Sequence, residues 1–455
     1  MPKHNVAVVI LAAGKGTRMK SARHKVLHEV GGKAMLHHLL DSVHSLAPEK
    51  TVIVVGAERD QVEAAVCDCE IVAQTEQLGT GHAVMMASEA LETYSGDVLV
   101  LYGDVPFIPS NLMKEMIQVR DDGGNTGLVV LGFRPKDPAR YGRLVTARDG
   151  SLERIVEYKD ASAAERAIDL CNSGMMLIDG EKLFAWLDRL SNKNAAGEYY
   201  LTDLVAVARA DGHSVAVVEA AEDDVLGINS REDLAHAEAR FQHKRRKTAM
   251  AAGVTLVDPE TVYFSHDTRL AADVIIEPNV FFGPGVVIED NVIIKAYSHI
   301  EGARIRAGAS VGPFARLRPG ADIGPEAKIG NFVEVKKAKL ERGVKVSHLS
   351  YIGDAFIGAD ANIGAGTITC NYDGFLKFET HIGAGAFIGS NTALVAPVKI
   401  GDGALVAAGS VITNNVEKDA LAIARGQQYD RPGFAAEFRA AQTSKKAALD
   451  AKKGK

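Results

Sequence analysis

From residue 275 onward, an apolar or aromatic side chain returns at every sixth position. Ile275, Val287, Ile293 and Ile305 open the series, with Phe281 and His299 filling its two gaps, and Val311, Leu317, Ile323, Ile329 and Val335 continue it. The period breaks near Ala338 and resumes in pieces at Val346/Ile352 and Ile357/Ile363. It then runs through Ile382, Ile388, Leu394, Ile400, Val406 and Ile412. A hexapeptide repeat predicts a parallel β-helix, in which each repeat forms one short side and turns one side chain to the axis. Three sides close a coil of about eighteen residues, so the segment predicts roughly nine coils. Frequent Gly and Ala suit the tight corners.

Residues 5 to about 228 follow another pattern. "VAVVILAAG", "TVIVVG", "CEIVA" and "DVLVLYGD" are short apolar runs closed by turn or acidic residues, as in buried parallel strands. Between them "AMLHHLLDSVHSL", "RDQVEAAV" and "GTGHAVMMASEALE" carry helical spacing, which together predicts an α/β sheet. "GRLVTARDGSLERIVEY" predicts a hairpin around Asp149-Gly150, hence a mixed sheet. One helix is predicted from Arg231 to Met250, with Leu234, Ala237 and Phe241 on one face and Lys244 to Lys247 as a solvated basic stretch. The expected division is 1–230, a Rossmann-like α/β domain; 231–252, a linker helix; and 253–455, the β-helix with a disordered tail after Arg431.

The net charge of -6 gives no reason to expect nucleic acid or a membrane surface as a partner. Cys67, Cys69, Cys171 and Cys370 form no disulfide framework or zinc spacing. No segment has the apolar length of a membrane span, and the start lacks signal-peptide features. A cytoplasmic protein is expected.

"LAAGKGTRM", Leu11 to Met19, follows the first apolar run. It lacks the Walker A spacing, and the third Gly of a dinucleotide fingerprint would fall at Met19. A Gly-rich turn after a strand still offers N–H groups to an anion. Arg18 adds a planar fork for phosphate oxygens and Lys25 a point charge. This stretch resembles the Gly-x-Gly-Thr-Arg…Pro-Lys signature of sugar-nucleotide pyrophosphorylases, with His24 standing in place of the usual Pro. "QTEQLGTGHA", "YGD", "YGR", "VEYKD", "CNSG" and "GINS" resemble the uridyltransferase branch of that family. The resemblance implies uracil contacts from Leu11, Ala12, Gly14, Gln74, Gln77, Gly79 and Thr80, with Tyr102, Gly103 and Asp104 beside them. It further implies Mg²⁺ contacts from Asp104 and Asn229, and acetamido-sugar contacts from Gly142, Glu157 and Asn172. Asp104, ending an apolar strand, suits Mg²⁺, which takes one or two carboxylates plus phosphate oxygens.

Hexapeptide β-helices resemble a large acyltransferase family whose coils wind left-handed. "ARLRPG", "NFVEVKKA", "HLSYIGD" and "IGAGTITCNYDG" match the acetyltransferase half of bifunctional N-acetylglucosamine-1-phosphate uridyltransferases/glucosamine-1-phosphate acetyltransferases, and the match runs in order over nearly the whole chain. An amino sugar must lose a proton before it attacks a thioester, and His is the side chain best tuned to take it. By resemblance His348 is that base. Arg318 and Lys336 fit the substrate phosphate, and Tyr351 and Asn362 the sugar. Ala365, Asn371, Tyr372, Ser390, Ala408 and Arg425 match acetyl-CoA positions, and Lys377 a loop residue of that site. The resemblance implies acetylation of glucosamine-1-phosphate from acetyl-CoA, then Mg²⁺-dependent uridylyl transfer from UTP to N-acetylglucosamine-1-phosphate, in a homotrimer serving peptidoglycan and lipid A synthesis. The rival reading is a single-activity nucleotidyltransferase with a structural β-helix; it leaves the set from His348 to Arg425 unexplained.

Overall fold

The computed structural model describes residues 5–453 apart from Lys15, Ala57, Glu58, Ala139, Arg140 and Ala195. Every residue of β1 (Val6–Ala12) is buried. Val8 and Ile10 enter one apolar core and Val9 and Leu11 another, as in a parallel strand covered on both faces. The other long strands are β2 (Lys50–Val55), β3 (Glu70–Ala73), β4 (Asp97–Tyr102), β5 (Thr126–Phe133), β6 (Cys171–Asp179) and β7 (Ser214–Ala220). Their spatial order is β7-β5-β6-β4-β1-β2-β3. Only β6 runs against its neighbours in this series. The sheet is therefore mixed, and Arg143–Thr146 pairs with Leu152–Val156 as the expected hairpin. Leu11 lies opposite Tyr102, so the Gly14 loop and Asp104 leave the sheet side by side.

The helix Arg231–Ala251 lays Ala237 into a small core with Val30, Met35 and Ile228. Its basic stretch is not uniformly solvated: Arg246 is only 5% exposed and Arg245 half-buried. Gln242, one turn earlier on the same helix face, is bonded to both the N–H and the carbonyl of Phe264, each at 2.7 Å. That return of the chain covers the face on which Arg246 lies. By contact clustering, the first unit runs through Thr248 and includes Phe264–His266; the second holds Ala249–Tyr263 and the residues from Asp267.

In the second unit, ten short strands stack in one parallel ladder from Thr255–Leu256 to Leu421–Ala422. The other strands form a further sheet in which Glu334–Leu340 and Tyr351–Ile357 run side by side. This is the left-handed β-helix of the hexapeptide fold. Its early coils require a correction. The inward residues are Ile276, Phe282, Ile288, Ile294 and Ile300, all at most 2% exposed, whereas Ile275, Phe281 and Ile293 are 38–46% exposed. Val287 is half-buried and His299 exposed. The pairs "II", "FF" and "VI" satisfy a six-residue period in either phase. A five-residue step from Ile300 to Ile305, through Gly302 at φ +52, then brings the two phases together. From Ile305 to Val335 the residues expected to face the axis do so. The tail after Arg431, expected to be disordered, is a helix at Phe434–Lys453 whose described side chains are exposed. Its Ala- and Lys-rich sequence favours helix without a core. Among the described residues no helix is long and apolar enough to cross a membrane.

Candidate active sites

In the first unit, a cleft of about 360 Å³ opens beyond the carboxyl ends of β1 and β4, where α/β sheets hold ligands. Leu11, Ala12 and Gly14 line it from one side, and Gln74, Gln77, Gly79 and Thr80 from another. Lys25, Tyr102 and Asp104 complete it. Gly79 sits at φ +110, and a Cβ there would meet the Tyr199 carbonyl oxygen at 2.6 Å, so this loop requires glycine. The Gly79 carbonyl accepts from Gln74 Nε2 at 3.0 Å. Gln77 Nε2 donates to Ala13 O at 2.6 Å, which ties the two loops together. Gly103 N–H donates to Leu11 O at 3.0 Å. Burial raises the pKa of the Tyr102 phenol, and Asp104 and Glu157 raise it further against a hydrogen bond with Thr80.

Lys25 Nζ lies 2.6 Å from Asp104 Oδ2 and 3.2 Å from Asn229 Oδ1. Asn229 is fixed from behind, because Asp233 Oδ2 accepts the N–H groups of Asn229 and Ser230 at 2.9 and 2.8 Å. Asp233 N–H returns a bond to Ser230 Oγ at 3.1 Å, a reciprocal cap readable in "SRED". Arg18 stands apart on Thr17–Met19, exposed and without a side-chain hydrogen bond among the described residues. Gly142, Glu157 and Asn172 form an adjoining group: Asn172 N–H donates to Gly142 O at 2.9 Å. Burial raises the pKa of Glu157, and Asp160 and Asp203 add to this against a hydrogen bond from Thr202. The link to the cleft is Gly174, where a Cβ would meet the Tyr102 ring at 2.8 Å.

Asp104 and Asn229 fit Mg²⁺. Their oxygens already converge on one cation, the Lys25 ammonium, and both are hard oxygen donors. Among the described residues no cluster of three His, Cys, Asp or Glu side chains could cage a metal, which leaves the remaining ligand positions to water and phosphate oxygens, as is usual for Mg²⁺.

His24 has φ -56, already the angle a proline would impose. Its N–H donates to Gln61 Oε1, and Gln61 Nε2 donates to Ala22 O, both at 2.9 Å. Gln61 thus holds the turn before Lys25 from both sides. His24→Pro should therefore be mild. It keeps the backbone angle and loses the N–H bond to Gln61, about 1 kcal/mol, so Tm should stay within a few degrees of the parent's. A large fall in Tm would overturn this. Gln61 and Glu198, which also lines the cleft, were not legible as site residues, since only chain folding brings them near Lys25 and Gly79.

In the second unit, five of the residues matched to base and acetyl-CoA positions, His348, Ala365, Ser390, Ala408 and Arg425, form one column along a corner, one per coil. Gly366 N–H donates to His348 O at 3.3 Å, Asn391 N–H to Ala365 O at 2.7 Å, and Gly409 N–H to Ser390 O at 2.8 Å. Arg425 Nη1 then donates to Ala408 O at 2.7 Å. His348 is exposed, and its Nδ1 is 2.6 Å from Asn331 Oδ1.

Beside this corner, Arg318 Nη1 lies 2.8 Å from Glu334 Oε1 and Lys336 Nζ 3.8 Å from Asp354 Oδ2. Asn371 Nδ2 bonds Asp354 and approaches Tyr351 Oη at 3.5 Å. Tyr372 pairs with Lys377 across a short hairpin whose tip, Phe375, is 92% exposed. Asn362 is not brought into this group. It pairs with Lys345 and Phe387 on the ten-strand ladder, while Lys336 and Tyr351 lie on the other sheet. Glu334 and Asp354 had no signal in the sequence beyond their places in repeats.

The model of the MobA-like NTP transferase domain matches residues 8–172, and that of the bacterial transferase hexapeptide (six repeats) matches 267–302 and 379–414. The chain is 55% identical over 450 residues to the "Bifunctional protein GlmU" of Paramagnetospirillum magneticum, covering 99% of this chain and 100% of that one. The protein of the same name from Sphingopyxis alaskensis is 57% identical, covering 97% and 98% of the two chains. That from Rhodospirillum rubrum is 58% identical, covering 95% and 97%.

Proposed function

Because the chain belongs to the GlmU family of bifunctional transferases, we propose how its residues divide between two reactions. The protein is an enzyme that acetylates glucosamine-1-phosphate from acetyl-CoA and then transfers a uridylyl group from UTP to N-acetylglucosamine-1-phosphate with Mg²⁺. Its product, UDP-N-acetylglucosamine, serves peptidoglycan and lipid A synthesis. One observation above all supports the division: each unit holds, among its own residues, the charged groups its reaction needs.

Residues 1–230 carry uridylyl transfer. A phosphate oxygen of the sugar attacks the α-phosphorus of UTP and pyrophosphate leaves, a step governed by alignment and by neutralising spread negative charge. Leu11 to Gly14 and Gln74 to Thr80 hold the nucleotide, while Gly142, Glu157 and Asn172 hold the sugar. Lys25 and Arg18 meet the phosphates. Asp104 and Asn229 would hold Mg²⁺, which when bound supplies positive charge against the phosphate oxygens.

Residues 253–455 carry acetylation, and the chain passes to them from the first domain through the helix Arg231–Ala251. Arg318 and Lys336 hold the substrate phosphate, Tyr351 and Asn362 the sugar. The column from Ala365 to Arg425, with Asn371, Tyr372 and Lys377, holds acetyl-CoA. His348 takes the proton from the amine as nitrogen attacks the thioester carbon.

The enzyme works as a cytoplasmic homotrimer. Tyr297, Phe314 and Phe332 stack along one corner with centroids 4.9 and 5.2 Å apart, each 45–56% exposed, and Leu349 extends the line at 62%. Such an apolar ridge beside an exposed His348 suits burial against a second copy, and Asn362 on the neighbouring face suits a site shared between copies. Sedimentation should give a mass near three times 48.4 kDa. Phe314→Glu with Phe332→Glu should split the oligomer and abolish CoA release while sparing pyrophosphate release. A monomer with full acetylation would remove the shared site.

A further inference from the structure

The hydrogen bond behind His348 carries a role that the motif residues do not cover. Asn331 Oδ1 lies 2.6 Å from His348 Nδ1. A side-chain amide oxygen can only accept, so the proton of this bond sits on Nδ1, and the free lone pair of the ring is on Nε2. We propose that Asn331 is a positioning residue of the acetyl transfer, holding His348 in the tautomer and orientation in which Nε2 faces the substrate amine. This deepens the reading of His348 as the base and rests on it.

The backbone builds the pair. Asn331 and His348 end the strands Lys328–Asn331 and Lys345–His348 and are direct partners in the parallel ladder, one coil apart. Each is followed by a left-handed residue, Phe332 at φ +56 and Leu349 at φ +51, so both side chains leave the chain at the same kind of corner. Leu349 N–H donates to Asn331 O at 3.0 Å. At Gly330 a Cβ would lie 1.8 Å from Ser347 O. No larger residue lets the two coils approach so closely one position before the pair.

An amide suits the task better than a carboxylate. A carboxylate would also orient the ring, but it would favour the imidazolium and leave the base loaded with a proton. With Asn331 in place, the substrate ammonium gives one proton to Nε2 and the freed nitrogen forms the C–N bond. The C–S bond then breaks, the proton on Nε2 passes to the departing CoA sulfur, and the nitrogen releases its second proton to water. Atoms and charge then balance with solvent as the final proton acceptor.

The test uses the full-length enzyme with CoA release and pyrophosphate release measured separately. Asn331→Ala should lower kcat for acetylation about tenfold to a hundredfold, the usual size for losing a partner that orients a histidine. The KM for glucosamine-1-phosphate and pyrophosphate release should be unchanged. Asn331→Asp should retain orientation but move the acid limb of the acetylation kcat/KM profile to higher pH. This shift reads the pair directly even if the alanine variant is poorly folded. Wild-type kcat in Asn331→Ala, or an unmoved acid limb in Asn331→Asp, overturns the proposal while leaving His348 as the base. Substantial acetylation by His348→Ala overturns the base and this role together.

Discussion

His348→Ala slows acetylation by about two to four orders of magnitude, the range for loss of a general base, while uridylyl transfer continues near the parental rate. The amino group of glucosamine-1-phosphate is an ammonium at neutral pH, so its nitrogen has no lone pair to attack with until a proton is removed. Within the column of residues from Ala365 to Arg425, Ser390 offers only a hydroxyl and Arg425 no acceptor at all. Truncation leaves Asn331 Oδ1 without its partner, at an exposed corner where water replaces it at little cost. Stability should therefore hold, and the loss should fall on kcat. Raising the pH supplies more free amine and should recover part of the rate. Acetylation near the parental level at neutral pH would remove His348 from the mechanism.

Lys25→Ala should depress uridylyl transfer by about a hundredfold or more, the size associated with losing one charge-stabilising donor, with CoA release unaffected. The Lys25 and Asp104 side chains are only 12% and 16% exposed, so the variant also leaves a largely buried carboxylate without its partner. Removing one member of a buried pair is destabilising, and Tm should fall. Mg²⁺ should restore part of that Tm, because Asp104 and Asn229 then face an unclaimed cation position. A fall in Tm with unchanged pyrophosphate release would show a structural lysine and defeat the phosphate assignment.

Much of the sheet was legible because β1 and β4 are apolar on both faces, and burial on both sides writes a continuous run into the sequence. β5, β6 and β7 were not identified. "CNSGMMLID" mixes polar residues into its first half, since Asn172 and Ser173 serve side-chain hydrogen bonds rather than a core. In the β-helix the six-residue period was plain, yet its phase before Ile305 was not, because adjacent apolar pairs leave inward and outward positions chemically alike. The burial of Arg246 is hidden for the opposite reason: its immediate neighbours Arg245 and Lys247 are basic, and the segment returning at Phe264 lies beyond the local helix pattern.

The sequence by itself determined the two architectures, the Gly-rich loop with its Lys25, and the residue types for both reactions, because periodicity and motif spacing are local properties. Tertiary structure decided what those groups touch. It set Lys25 between Asp104 and Asn229, clamped His24 with Gln61, lined His348 up with the column ending at Arg425, and put Asn331 behind its imidazole. These contacts are set where sheet order or coil stacking brings backbones together. In a parallel coil, residues seventeen or eighteen positions apart become neighbours by backbone hydrogen bonding, whatever side chains they carry.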